Sequence, residues 1–130
     1  MKEIYSLSDI DDIIDFTLAL AVKEAGIDII SEWCYAETGD LISPFNKYKS
    51  VCYAPTTDQL FRYFKDNGFI ITIKPIRYEP NRHYYVDGSE YAIRYEDKLY
   101  GPYKLGCHFS KINQFVLTKV LFIFEEIFKK

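Results

Sequence analysis

The stretch CYAPTTDQLFRYFKDNGFIITIKP, residues 52–75, carries a complete local instruction: enter, form a helix, stop, form a strand. Pro55 disfavours helix in the residue before it, and Thr56 with Gln59 three positions on makes a capping box. Leu60, Phe61 and Phe64 then give one apolar face at helical spacing. Asn67-Gly68 supplies a left-handed exit. FIITIK follows as a β-branched strand with Phe69, Ile71 and Ile73 on one side, and Pro75 marks where ladder pairing is expected to falter. Folding accounts for every signal in this unit.

Working outward, a first helix is expected to start at Ser8, with Asp9, Asp11 and Asp12 in its first turn at the positive end of the helix dipole. Ile10, Ile13, Ile14, Leu18, Ala21 and Val22 recur at helical spacing up to a stop at Gly26. Capping explains the DIDD carboxylates without a metal. IISEWCYAETGDLI reads as a short hairpin turning at Thr38-Gly39-Asp40, followed by a loop, SPFNKYKS, with Trp33 as a core anchor.

Downstream, RHYYV, EYAIRYE and KLYGPYK alternate as antiparallel strands separated by the turn signals Asp87-Gly88 and Glu96-Asp97. Tyr91, Ile93 and Tyr95 share one face, while Glu90, Ala92, Arg94 and Glu96 share the other, the pattern of a sheet covered on one side and wet on the other. Ser110 caps a last helix, KINQFVLTKVLFIFEEIFKK, whose apolar positions run almost all round from Phe115 to Phe124. Such a helix is central to the core or partly covered by another subunit. The expected architecture is α+β: a small, mainly antiparallel sheet of three to four strands from residues 69–105, with about three helices packed on one face.

At 130 residues the chain is expected to form one domain, residues 1–130. It is 48% apolar and 27% charged, an ordinary globular composition. The net charge of −3 argues against wholesale attraction to nucleic acid or anionic membrane. Residues 1–40 hold ten acids against two bases, and the remainder nine against fourteen. The apolar stretches around Phe16–Val22 and Phe115–Phe124 are too short and interrupted to span a bilayer, so no membrane association is expected. MKEIYSLSDIDDIIDF is acidic where an export signal needs a basic start, so none is expected, and Cys34, Cys52 and Cys107 form neither an even disulfide framework nor a zinc spacing. Free thiols in the cytoplasm are the expectation, with no cofactor and no metal.

At CYAPTTDQLFRYF and GFIITIKP the chain resembles a group of small, uncharacterised proteins encoded by phages, prophages and mobile elements of gut anaerobes. The resemblance is carried by Cys52, Ala54, Pro55, Thr56, Leu60, Tyr63, Phe64 and Pro75, and coarsely by most of the chain. This chain differs from the group in its strongly apolar last helix and in a longer EPNRHYYVDGS segment. The resemblance implies an accessory role in a mobile element, and it implies no reaction.

Among chemistry-bearing residues, Cys107-His108 is the nearest approach to a nucleophile and base, yet neighbours on a strand point to opposite faces. His83 adds an imidazole with no spacing that ties it to a thiol. A zinc set from Cys34, Cys52, Cys107 and His108 lacks paired spacing. No glycine-rich phosphate loop or HExxH helix is present, and no catalytic residue is assigned.

Seven of the twelve tyrosines fall between residues 78 and 103, interleaved with Arg77, Arg82, Arg94, Lys98 and Lys104. Cross-strand packing explains them most simply. Their functional reading centres on Tyr84, Tyr85, Tyr91, Arg94 and Tyr95 as binding residues. The leading function is a non-enzymatic accessory protein acting through contact with another protein or through self-association. The alternative is a single-stranded nucleic-acid binder stacking bases on these rings, held down by the interleaved acids. A thiol-dependent enzyme is least favoured.

Overall fold

The computed structural model describes residues 13–42, 49–81, 84–105 and 112–128, with side chains at all of these except 76–81 and 84–87. The architecture is α+β, with three helices and two antiparallel three-stranded sheets among the described residues. In chain order these are α1 (Phe16–Glu24), β1 (Cys34–Ala36), β2 (Leu41–Ile42), β3 (Ser50–Tyr53) and α2 (Thr57–Asp66). Then follow β4 (Phe69–Asn81), β5 (Tyr84–Tyr95), β6 (Lys98–Leu105) and α3 (Ile112–Phe128). The small sheet has the order β2-β1-β3 and the large one β4-β5-β6. No described helix is long and apolar enough to cross a membrane.

The central helix–strand unit forms as its sequence dictates. The Thr56 hydroxyl accepts from the Gln59 N–H at 3.1 Å, and the Gln59 carboxamide accepts from the Thr56 N–H at 2.9 Å. Two donors that the first turn leaves without helical partners are thereby satisfied. Leu60 and Phe64 are fully buried, and Gly68 leaves the helix at φ +97°. Phe69 then enters the core at the start of β4, its ring 5.7 Å from Phe64 and 4.8 Å from Tyr95.

The first helix is shorter than its periodicity suggests. Ser8 lies outside the described residues, and Ile13 and Ile14, expected inside the helix, are extended instead. Ile13 forms an antiparallel bridge with Thr56, and the Ile14 N–H donates to the Pro55 carbonyl at 3.0 Å. Asp15 is the N-cap, its carboxylate accepting from the Leu18 N–H at 2.9 Å. β-branched Ile13 and Ile14 give up little by leaving the helix, because the Pro55–Thr56 backbone offers them a partner. The Tyr35 hydroxyl donates to the Ile14 carbonyl at 2.6 Å, and the Asp15 N–H donates to the Gln114 side-chain oxygen at 2.6 Å.

The hairpin at Thr38-Gly39-Asp40 is present, with Gly39 at φ +90° and β1 paired to β2. Its sheet gains a third strand, β3, in a stretch the sequence reading left irregular. Two other expectations are corrected. Asp87-Gly88 is not a turn: β5 runs through it, with Arg77 opposite Asp87 and Ile76 opposite Gly88. Nor does Pro75 interrupt pairing, because it sits opposite Ser89 in a register continuous from Phe69 to Tyr78. The long ladder outweighs the local turn preference, and a proline is tolerated on β4 because that strand lies at the sheet edge. Glu96-Asp97 does turn the chain, with Glu96 at φ +55°.

α3 is the central helix. Val116, Leu117, Val120, Leu121, Ile123 and Phe124 are buried, and Phe124 joins the ring cluster at 5.7 Å from Phe64. Its far side leaves Phe122 66% exposed. Gln114 is the buried polar residue on this helix, at 8% exposure. Replacing it by leucine keeps the volume and leaves the Asp15 N–H without its acceptor. Gln114→Leu is expected to lose about 1–3 kcal/mol in urea unfolding with an unchanged slope; wild-type stability would show that water replaces the amide.

Candidate functional site

The large sheet has one covered and one open face. On the covered side, Phe69, Ile71 and Ile73 stand opposite Tyr95, Ile93 and Tyr91. Tyr103 and Tyr100 continue this face on β6, opposite Tyr91 and Ile93. A bulge between these two pairs is made by Gly101 at φ +100°, where an added Cβ would lie 2.9 Å from the Tyr103 ring. Only glycine fits that conformation and that space together.

This places the residues singled out from the sequence. Tyr91 is 4% exposed, with its ring 5.1 Å from Tyr103 and 6.1 Å from Phe115 on α3. Tyr95 is half-buried between Phe69 and Phe128, the latter ring 5.8 Å away. Arg94 is exposed and projects from the opposite face. Tyr91 and Tyr95 therefore share a side that Arg94 does not. Tyr84 and Tyr85 belong to β5, and their side chains are outside the described set, as are Cys107, His108 and His83 in full. Lys98 and Lys119 lie over the rings of Tyr100 and Tyr103 at 4.9 and 5.3 Å, so both ammonium groups already use those aromatic faces.

The open face carries the row Ile70–Arg94–Leu99 across the three strands, with Ile70 59% and Leu99 46% exposed. Further along, Lys74 pairs with Glu90 at 3.3 Å. Ile70 also borders a second feature. Between α2 and β4 runs a groove of about 370 Å³, lined by Phe61, Lys65, Phe69, Ile70, Ile71 and Ile73. Among the described residues no strand pairs with the outer edge of β4. Lys65 is exposed there and makes no ion pair among the described residues.

A separate cavity, also about 370 Å³, lies against the small sheet and α1, with Cys34 and Cys52 both in its lining. The two thiols are free and buried. Burial pushes the Cys52 thiol up, Lys23 opposes the shift and Cys34 adds to it, so the thiol is held protonated rather than activated. Among the described residues no three His, Cys, Asp or Glu side chains come together to hold a metal.

Compared with protein-family models, curated proteins and solved structures, the chain has no match.

Tyr35 gives the region around the cysteines a titratable signature. Burial first, then the Asp15 carboxylate and Cys52, push its hydroxyl from 10.0 up to about 12. The folded protein keeps the phenolic proton to higher pH than the unfolded chain does. The resulting stability is full below pH 10.0 and is lost as pH rises through about 12. Tyr35→Phe, which removes the ionising group, is expected to shrink this alkaline loss in urea melts taken across that range; an undiminished loss would assign it elsewhere.

Proposed function

We propose that the protein acts through protein–protein contact, by accepting an extended segment of a partner protein along the outer edge of β4. One observation carries this reading: a strand edge unpaired among the described residues runs beside an apolar groove. An added strand would take main-chain hydrogen bonds from β4 and place alternate apolar side chains against Phe61, Ile71 and Ile73. Lys65 sets the partner's chemistry, because its ammonium calls for a carboxylate. The segment that fits is apolar at alternate positions and acidic where it passes Lys65.

A second copy of β4 is a poorer occupant. Residues 69–73, FIITI, have no acid to offer Lys65. The exposed row Ile70–Arg94–Leu99 extends the contact onto the open face, since arginine with flanking apolar groups is a common energetic centre of interfaces. The resemblance to phage and mobile-element proteins supports placing such a contact in an accessory role.

The full chain can be titrated with two fluorescein-labelled strand peptides, Ac-TVTETVT-NH2 and Ac-TVTKTVT-NH2, in which the charged residue shares the valine face, followed by fluorescence polarisation and amide exchange. The acidic peptide is expected to bind about tenfold more tightly and to protect amides of β4, and Lys65→Glu to reverse the preference. Equal binding of both peptides, protection elsewhere, or a dimer in light scattering whose β4 amides are already protected would overturn the assignment.

A further inference from the structure

The cavity beside the small sheet lies apart from the β4 groove, with different walls. Its floor is Ala19, Val22, Ile27, Cys34, Cys52 and Pro55, all buried. The thiols extend this apolar surface, since a protonated, buried cysteine behaves as a small hydrophobe. At about 370 Å³ the space falls within the range of small-molecule sites, about 300–1,000 Å³.

Charge is confined to the mouth. Lys23 and Asp28 both line the cavity and both are exposed. The Lys23 ammonium donates to the Val51 carbonyl at 2.5 Å, a bond that ties α1 to β3, which form two sides of the cavity. Among the described residues Lys23 makes no ion pair, Asp28 included. An ammonium has three donors, so the bond to Val51 leaves Lys23 able to hold an anion while keeping its place.

We propose that this cavity binds a small amphipathic monocarboxylate, its apolar body on the Ala19–Val22–Cys52 floor and its carboxylate on Lys23. An apolar interior with one cation at the entrance orients such a molecule head-out. Lys23, fixed in place by its bond to Val51, favours a carboxylate over the equivalent amine, which it repels even though Asp28 at the rim attracts it. Asp28 sits at the same rim, so it weakens the anion's binding and sets a limit on ligand charge: a monocarboxylate is tolerated better than a dicarboxylate. The proposal is independent of strand addition at β4, and either stands without the other.

The test is a titration of the full chain, labelled for backbone-amide NMR, with octanoate, octan-1-ol and octylammonium as separate probes. Octanoate is expected to shift amides of α1, residues 27–29 and β3, with octan-1-ol weaker and octylammonium weakest. Lys23→Met should weaken octanoate about tenfold, and Asp28→Asn should tighten it about threefold. Ala19→Trp, which fills the floor, should abolish the shifts while leaving the β4–β6 amides in place. Should Ala19→Trp fail to fold, the two substitutions at the exposed rim decide the matter. Octylammonium binding as well as octanoate, an Asp28→Asn variant that binds more weakly, or shifts confined to the β4 groove would overturn the proposal. So would an absence of shifts at millimolar octanoate.

Discussion

The fold turns on how three consecutive residues, Ile13 to Asp15, are kept out of a helix and still satisfied. A stretch of extended backbone next to the core must find a partner for its polar groups, since a buried unpaired amide costs about as much as several good contacts return. Here the partners come from three distant parts of the chain. Pro55 and Thr56 pair the main chain, Tyr35 reaches the Ile14 carbonyl, and Gln114 reaches the Asp15 N–H. Each partner also has a second role. Thr56 caps α2, Tyr35 packs its ring against Phe16 at 5.3 Å, and Gln114 sits on the central helix. The same few residues thus join the small sheet, α2 and α3.

With that junction set, the rings distribute themselves by face. Phe64, Phe69 and Phe124 come from α2, β4 and α3 and meet at centroid distances of 5.7 to 6.4 Å, within the span over which aromatic edges and faces attract. Tyr91, Tyr95 and Tyr103 extend this layer outward toward α3 and the sheet margin. Among the described residues the surface proposed for recognition is mostly aliphatic, and exposed rings such as Phe122 lie elsewhere, on α3. It is the aliphatic margin around Ile70, together with Arg94 and Lys65, while the second concavity depends on a lysine stapled to a strand carbonyl.

Much of this was legible. The Thr56–Gln59 box, the Gly68 exit, the β4 face and the two-sided character of β5 follow from local chemistry and period-two alternation, which act over a few residues. That alternation also puts Arg94 on the face opposite Tyr91 and Tyr95. What escaped reading depends on distant partners. Ile13 and Ile14 fit a helical period, and only the Pro55–Thr56 backbone makes extension better. Ser50–Tyr53 offered Val51 and Tyr53 as strand formers ahead of Pro55, a weak signal until β1 lies alongside. Asp87-Gly88 is a strong turn dipeptide, overruled by the ladder opposite it. The Lys23 rim was invisible for the same reason, since 28 residues separate the ammonium from the carbonyl it meets.

The bond from Asp15 to Gln114 joins positions 99 apart. A ribosome delivers the first of these long before the second, so the junction stays open through most of synthesis. Ile13 and Ile14 find Tyr35, Pro55 and Thr56 well before that, whereas the Asp15 N–H waits for α3. Contacts local in sequence, such as those of the α2–β4 unit, can form before this one, and the bond that closes the Ile13–Asp15 segment needs α3.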